Sequence, residues 1–331
     1  MQDNNPLVAL SDSLADAVEA GGRSIVAVNA RRRLPATGLI WSSEGVIVTA
    51  NHVVERDEEI TVTLPDGREV GAELAGRDPS TDIAVLRVSA ADLTPIVRAG
   101  QPARAGHLVL ALGKPGAVSP MATLGVVSAI GETLRTRRGG AIEEPIHTDL
   151  TLYPGFSGGP LLNAAGELFG MNTSGISRGL ALALPNAVLE RVTNVLLTEG
   201  GIKHGYLGVA LQPVQLPESV AQALNGQQTG LLVIGVEADS PAAAAGVMLG
   251  DTIVSFGGEA TTEPRALHAQ LGPGTVGTEQ PARLVRAGQP LDINVTVGER
   301  SAPERPQRRE RGGPRGPRGP RGGGRGRRFA S

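Results

Sequence analysis

The chain of 331 residues contains no cysteine, so its fold rests on no disulfide and no thiol points to a redox compartment. Aromatic residues make up only 2%: four Phe, two Tyr and one Trp. Its cores must therefore be aliphatic, built from Val, Leu, Ile and Ala within a hydrophobic total of 40%. No run approaches the roughly 20 apolar residues of a membrane-crossing helix. The opening MQDNNPLVAL has neither a basic n-region nor a sustained apolar h-region. That reads as a chain without an export leader, cytoplasmic as written; a longer native start would make it periplasmic or secreted.

What is abundant is turn chemistry. The 46 Gly and 24 Pro favour many short strands over long helices. The formal net charge of −2 conceals an uneven distribution. Residues 300–331 hold eleven Arg and two Glu, about +9, so the body before them carries about −11.

Along the chain, Leu10, Leu14, Ala17 and Val18 stand at helical spacing and stop at Gly21-Gly22, which predicts a leading helix within residues 1–22. Short apolar runs follow at 24–29, 38–41, 46–49, 59–64 and 83–88, then a second set at 107–112, 123–130, 167–172 and 180–184. Two sets of short strands separated by turn signals suit two packed antiparallel barrels over residues 23–200. Asn186 reads as the cap of a helix whose stripe is Val188, Leu189, Val192, Val195 and Leu196, ended by Gly200-Gly201. Residues 205–298 read as a second mixed domain, and 299–331 as a tail.

Three strings fit one reaction: TANHVV around His52, DPSTDIAVL around Asp82 and PGFSGGPL around Ser157. A serine hydroxyl is a weak nucleophile until a base removes its proton, and the base needs a carboxylate to fix its tautomer. Each string alone is weak evidence. A serine in a glycine-rich turn, a histidine beside a strand and an aspartate at a strand start are all common. Together they run in the order His, Asp, Ser at spacings of 30 and 75 residues, the order of the chymotrypsin-like double barrel. The glycines around Ser157 allow a tight turn that aims backbone N–H groups of Gly155 and Ser157 at a developing oxyanion. This chemistry needs no cofactor and no metal.

The strings resemble those of the HtrA (Deg) family of chymotrypsin-fold serine proteases. T-x-x-H-V-V matches Thr49–Val54, D-x-x-T-D-[IL]-A-V-L matches Asp78–Leu86, and T-D-x-x-x-x-P-G-x-S-G-G-P-L matches Thr148–Leu161. The resemblance spans residue 10 to about 298. It implies a mostly β fold, a double six-stranded barrel followed by a PDZ domain. It also implies endopeptidase activity on unfolded or damaged proteins, with His52 as base, Asp82 as orienter, Ser157 as nucleophile, and assembly as a homo-trimer. Two positions depart from the pattern: Phe156, where the family usually has Asn, and Tyr153, where a small polar residue is common. A second reading follows from them, a peptide-binding or chaperone-like protein whose catalytic turn is impaired.

In trypsin-like sites the residue six positions before the nucleophile lies at the base of the pocket. Here it is Thr151, which offers no countercharge to Lys or Arg. Leu152, Leu180, Ala181 and Leu182 are the expected pocket residues, favouring small or medium aliphatic side chains. The run SPAAAAGVMLGDTIVSFGG resembles a PDZ domain, and Tyr206, Leu207, Gly208 and Val209 would form its carboxylate-binding loop. That resemblance implies binding of C-terminal or apolar peptides by strand addition. The tail, with GGPRGPRGPRGGGRGRR, has too few apolar groups to offset chain entropy and reads as disordered. It is either a solvated appendage or a contact for an anionic partner such as nucleic acid, acidic lipid or acidic protein.

Overall fold

The computed structural model describes residues 5–299, apart from 33, 117–118, 137–139, 177–180, 203–204 and 273. The chain opens with α1 (Pro6–Gly22), longer at its start than the periodicity predicts because Asn5 caps it, its Oδ1 accepting from the Leu7 N–H, and Pro6 occupies the first turn.

Six strands follow: β1 (Ile25–Asn29), β2 (Ala36–Ile40), β3 (Val46–Ala50), β4 (Ile60–Thr63), β5 (Glu69–Asp78) and β6 (Ile83–Val88). They close into a barrel in the order β1-β2-β3-β6-β5-β4. All five residues of β2 and of β3 are buried, so β-branched and small side chains fill both faces. The run Glu69–Asp78 was not expected as a strand. Its burial alternates between exposed and half-buried, which dilutes the apolar signal.

The second barrel uses β7 (Leu108–Gly113) and β8 (Met121–Ile130). After a small ribbon of β9 (Leu134–Arg135) and β10 (Ala141–Ile142) come β11 (Ile146–Thr148), β12 (Pro160–Leu162), β13 (Leu168–Thr173) and β14 (Ala181–Pro185). The order β11-β14-β13-β12-β7-β8 closes this barrel too. The fold is the chymotrypsin-like double barrel.

Helix α2 (Asn186–Glu199) packs on β5 and β6 of the first barrel and on β13 and β14 of the second. Val188, Leu189, Val192 and Leu196 are all buried there, each contributing about 1.5–3 kcal/mol. Val192→Asp would place an unpaired charge in that seam and separate the helix from both barrels. Asn186 is not the cap: Pro185 holds that position, and Asn186 opens the helix with its Nδ2 donating to the Leu168 carbonyl. Proline's fixed φ makes it a good entry residue, and its Asn neighbour is free to bond elsewhere. Gly200, at φ 72°, ends the helix in the left-handed region.

The remaining described residues form a smaller unit. β15 (Gly205–Tyr206) pairs with the last strand, β22 (Gly298–Glu299). Between them β16 (Val209–Gln215), β17 (Thr229–Val236), β18 (Thr252–Phe256), β20 (Glu279–Arg286) and β21 (Gln289–Thr296) make one antiparallel sheet in that order, with β19 (Glu259–Ala260) beside β18. Three short helices complete it: α3 (Glu218–Ala223), α4 (Pro241–Ala244) and α5 (Pro264–Gln270). Ser240 caps α4, its Oγ accepting from the Ala243 N–H at 3.2 Å. The core of this unit holds Leu207, Leu231, Val233, Ile253, Phe256, Leu267, Leu284 and Val297. Residues 300–331, expected to be a disordered tail, lie outside the described residues. Among the described residues no helix is long and apolar enough to cross a membrane.

Candidate active site

The first barrel carries His52 and Asp82, the expected base and its orienter. Asp78 is 1% exposed, and its carboxylate accepts from the backbone N–H groups of Ser80 and Thr81 and from both their hydroxyls. This tight turn delivers Asp82 at φ 61°, a left-handed conformation that Asp tolerates better than most residues. The Asp82 carbonyl then accepts from Asn51 N–H at 2.9 Å, tying the turn to the end of β3.

His52 lies on a 3-10 turn, Asn51–Val53, that follows β3. Its backbone N–H donates to Asp82 Oδ1 at 2.8 Å, and its Nδ1 lies 2.7 Å from Asp82 Oδ2. With the proton on Nδ1, Nε2 is left as the acceptor a general base requires. Asp82 Oδ2 also accepts from Thr173 Oγ1 at 2.5 Å, so the carboxylate is held by three donors from one turn and one strand. Thr173 is fully buried, at the end of β13 in the second barrel. Sequence reasoning passed over it, because a threonine closing a strand carries no local signal.

The second barrel carries Ser157, the expected nucleophile, on the turn before β12. Ser157 is 8% exposed. Gly155, at φ 95°, takes a backbone shape that a side chain would strain. Its carbonyl accepts from Thr37 Oγ1 at 2.6 Å, and the Ser157 carbonyl accepts from Thr37 N–H at 3.2 Å. With both carbonyls turned to Thr37, the N–H groups of Gly155 and Ser157 have no partner among the described residues. Free donors on this turn are what an oxyanion hole requires.

Phe156 is fully buried, in a core with Val109, Val127, Ile146, Leu161 and Phe169. Tyr153 meets its ring edge-on, with centroids 5.8 Å apart. A Cβ on Gly113 would come within 2.3 Å of the ring, so the aromatic side chain occupies space that this glycine leaves. An apolar anchor thus sits where the family pattern has an amide. Lys114, next in the chain, is 2% exposed, its backbone N–H donating to Thr37 Oγ1 and its Nζ to the Leu64 carbonyl. Burial pushes its ammonium below the usual lysine range, and the nearby Asp66 carboxylate pulls back against that.

Of the expected pocket residues, Leu152 and Ala181 are half-buried against the second-barrel core. Leu182 is 1% exposed and packed inside, because β14 alternates and turns it away from its neighbour Ala181. It offers no surface to a substrate, which corrects its place in the pocket. Leu180 lies outside the described residues. In the smaller unit the Leu207 carbonyl accepts from Ala242 N–H at 2.9 Å and the Gly208 carbonyl from Glu237 N–H at 2.8 Å. Their own N–H groups have no partners among the described residues, as a carboxylate-binding loop requires. Tyr206 OH bonds Glu237, and Val209 enters β16 opposite Val236.

Comparison with known proteins places this geometry. Residues 36–171 match the trypsin-like peptidase domain, and residues 205–297 match the PDZ domain. The solved structure of the HtrA-type protease AlgW with a decapeptide is 30% identical, with a TM-score of 0.67, covering 88% of this chain and 99% of that one. This chain belongs to the HtrA-type proteases. A serine endoprotease structure from Yersinia pestis matches equally, at 30% identity, a TM-score of 0.67, and coverage of 87% and 98%. The "Probable periplasmic serine endoprotease DegP-like" of Halomonas elongata is 37% identical over 276 residues, 81% of this chain and 57% of the relative. That of Pseudomonas fluorescens is 36% identical over 270 residues, 79% of this chain and 56% of the relative. The chain spans a little over half the length of these curated relatives.

The relatives' names correct the expectation of a cytoplasmic location, since each is named a "Probable periplasmic" endoprotease. An export leader is removed from the mature chain, so a sequence that shows none carries no argument for the cytoplasm.

Proposed function

We propose that this protein is a serine endopeptidase that cuts extended segments of unfolded or damaged proteins. One observation carries the reading. His52 and Asp82 stand 2.7 Å apart at the end of one barrel, facing a turn of the other whose Gly155 and Ser157 N–H groups are free. His52 Nε2 takes the Ser157 proton as Oγ attacks the scissile carbonyl. Asp82 holds the resulting imidazolium, the two N–H groups hold the oxyanion, and His52 then protonates the leaving amine. Water, activated by the same imidazole, releases the acyl group.

Thr151 and the half-buried Leu152 and Ala181 favour an uncharged, small or medium aliphatic side chain at the cleavage site. The Tyr206–Val209 loop binds C-terminal or apolar peptide segments through the free amides of Leu207 and Gly208. The resemblance of the motif strings to the HtrA family implies assembly as a homo-trimer. The Arg-rich residues 300–331 attract an anionic partner, whose retention falls steeply as salt rises.

Incubating the full chain and Ser157→Ala with casein and a fluorophosphonate probe tests the central reading. Wild type labels at Ser157 and cleaves, and the variant does neither. Equal cleavage by both leaves only the peptide-binding alternative.

A further inference from the structure

Ser157 Oγ has two hydrogen-bond partners among the described residues, and neither is His52. Its neighbour is Ser174, whose Oγ lies 3.0 Å away and whose backbone N–H donates to Ser157 Oγ at 3.4 Å. Ser174 Oγ is in turn 3.5 Å from His52 Nε2. The hydroxyl of Ser174 therefore stands between nucleophile and base.

The backbone fixes it there. Thr173, the residue before, is locked onto Asp82. The Gly175 N–H, on the residue after, donates to Thr173 Oγ1 at 3.0 Å. Gly175 lies so close that a Cβ would meet Asp82 Oδ2 and His52 Nδ1, each at 2.6 Å. The corner Thr173–Gly175 thus contacts every member of the triad, and Ser174 is the residue of it that reaches Ser157. Ser174 is exposed, so an arriving peptide can reach it.

We infer that Ser174 is a positioning residue that holds Ser157 in a resting rotamer, turned away from His52. An N–H donating to Ser157 Oγ withdraws electron density from the atom that must attack. The neighbouring hydroxyl occupies the hydrogen-bonding direction that His52 needs. Attack then requires Ser157 to leave Ser174 and swing between staggered positions toward Nε2. A substrate strand laid along the exposed corner competes for Ser174 and frees Ser157. The inference rests on the peptidase reading and adds a resting control to the same site.

The test measures second-order labelling by a small fluorophosphonate and hydrolysis of a short aliphatic peptide. The chains are wild type, Ser174→Ala and Ser174→Thr, each full length and checked for an unchanged melting temperature. Losing one neutral hydrogen bond from the resting state corresponds to a gain of roughly three- to tenfold. Ser174→Ala therefore labels and cleaves three to ten times faster, with its melting temperature unchanged. Ser174→Thr, which keeps the hydroxyl, stays near wild type. Should the alanine variant fail to fold, Ser174→Gly makes the same deletion. If wild type labels at Ser157 and the hydroxyl-free variant is no faster, the clamp is wrong and the peptidase reading stands. A tenfold loss would make Ser174 a proton carrier, which also overturns the clamp. If neither chain labels, both readings fall.

Discussion

The two barrels hold their shares of the site by opposite physics. On the first, His52 and Asp82 are fixed by polar contacts: two hydrogen bonds to each other, one from Thr173, and the Asp78 turn beneath. On the second, the nucleophile turn is held by an aromatic ring sunk in an aliphatic core beside it, with Thr37 gripping its carbonyls. Polar locks are directional and fix a tautomer and a ring plane. An apolar anchor fixes depth but leaves a serine hydroxyl free to rotate. That difference explains why the base–carboxylate half is assembled while Ser157 still faces Ser174.

The largest test breaks the polar half. Asp82→Asn keeps the shape and presents an amide to His52, which favours the wrong tautomer. A loss of about 10⁴-fold in kcat is expected at neutral pH, read from peptide hydrolysis, with little change in KM. The apolar half breaks differently. Phe156→Ala empties a site with no exposed surface and should cost about 3–5 kcal/mol in urea unfolding. Labelling of Ser157 should slow while the downfield His52 Nδ1–H resonance survives. In Asp82→Asn that resonance should vanish. If both variants lose it, the halves are not independent and the contrast fails.

A smaller test sits where the halves meet. Thr173 belongs to the second barrel but donates to the carboxylate of the first. Thr173→Val keeps the shape but removes both the hydrogen bond to the charged carboxylate, typically worth about 1.5–3 kcal/mol, and the one accepted from Gly175 N–H. A fall of roughly 10- to 100-fold in kcat is expected, with KM unchanged. A fall as large as that of Asp82→Asn would mean that Thr173, rather than the His52 contacts, orients the carboxylate.

The polar half was more legible in the sequence than the apolar half, and the reason is local. His52 and Asp82 sit in short strings whose turn chemistry shows in adjacent residues; DPSTD names its own side-chain acceptor and donors. Barrel strands such as Ile83–Val88 and Leu108–Gly113 are legible because burial on both faces demands unbroken apolar runs. Glu69–Asp78 is not, because its half-exposed faces carry Glu, Gly and Arg among the apolar residues. Nor are Thr37, Thr173 and Ser174, which act across 118, 91 and 17 residues of chain and meet their partners only once the chain has folded. Phe156 was visible as a departure, but its anchoring role depends on the space at Gly113, more than forty residues earlier.

The same contrast extends to the PDZ domain, where it predicts a pH effect. Asp251 is 1% exposed and is the polar lock of that unit. It accepts two hydrogen bonds from the Arg286 guanidinium, both at 2.8 Å, and one from Met248 N–H. Burial works to raise its carboxyl, but the Arg286 and Met248 donors outweigh it, so the group stays below the ordinary carboxylate range. A folded value below the unfolded one means the unfolded chain binds the proton first as pH falls. The stabilisation is therefore complete above an unfolded value near 4 and drains away as pH drops through the lower, folded one. In urea titrations of the full chain, followed on the Phe256 and Val285 resonances, this unit should lose stability on going from pH 6 to pH 3. Asp251→Asn should be weaker at pH 6 and flatter across that range. An unchanged slope in the variant would show that other carboxylates carry the acid sensitivity, and that the lock just before β18 is structural but not titrating.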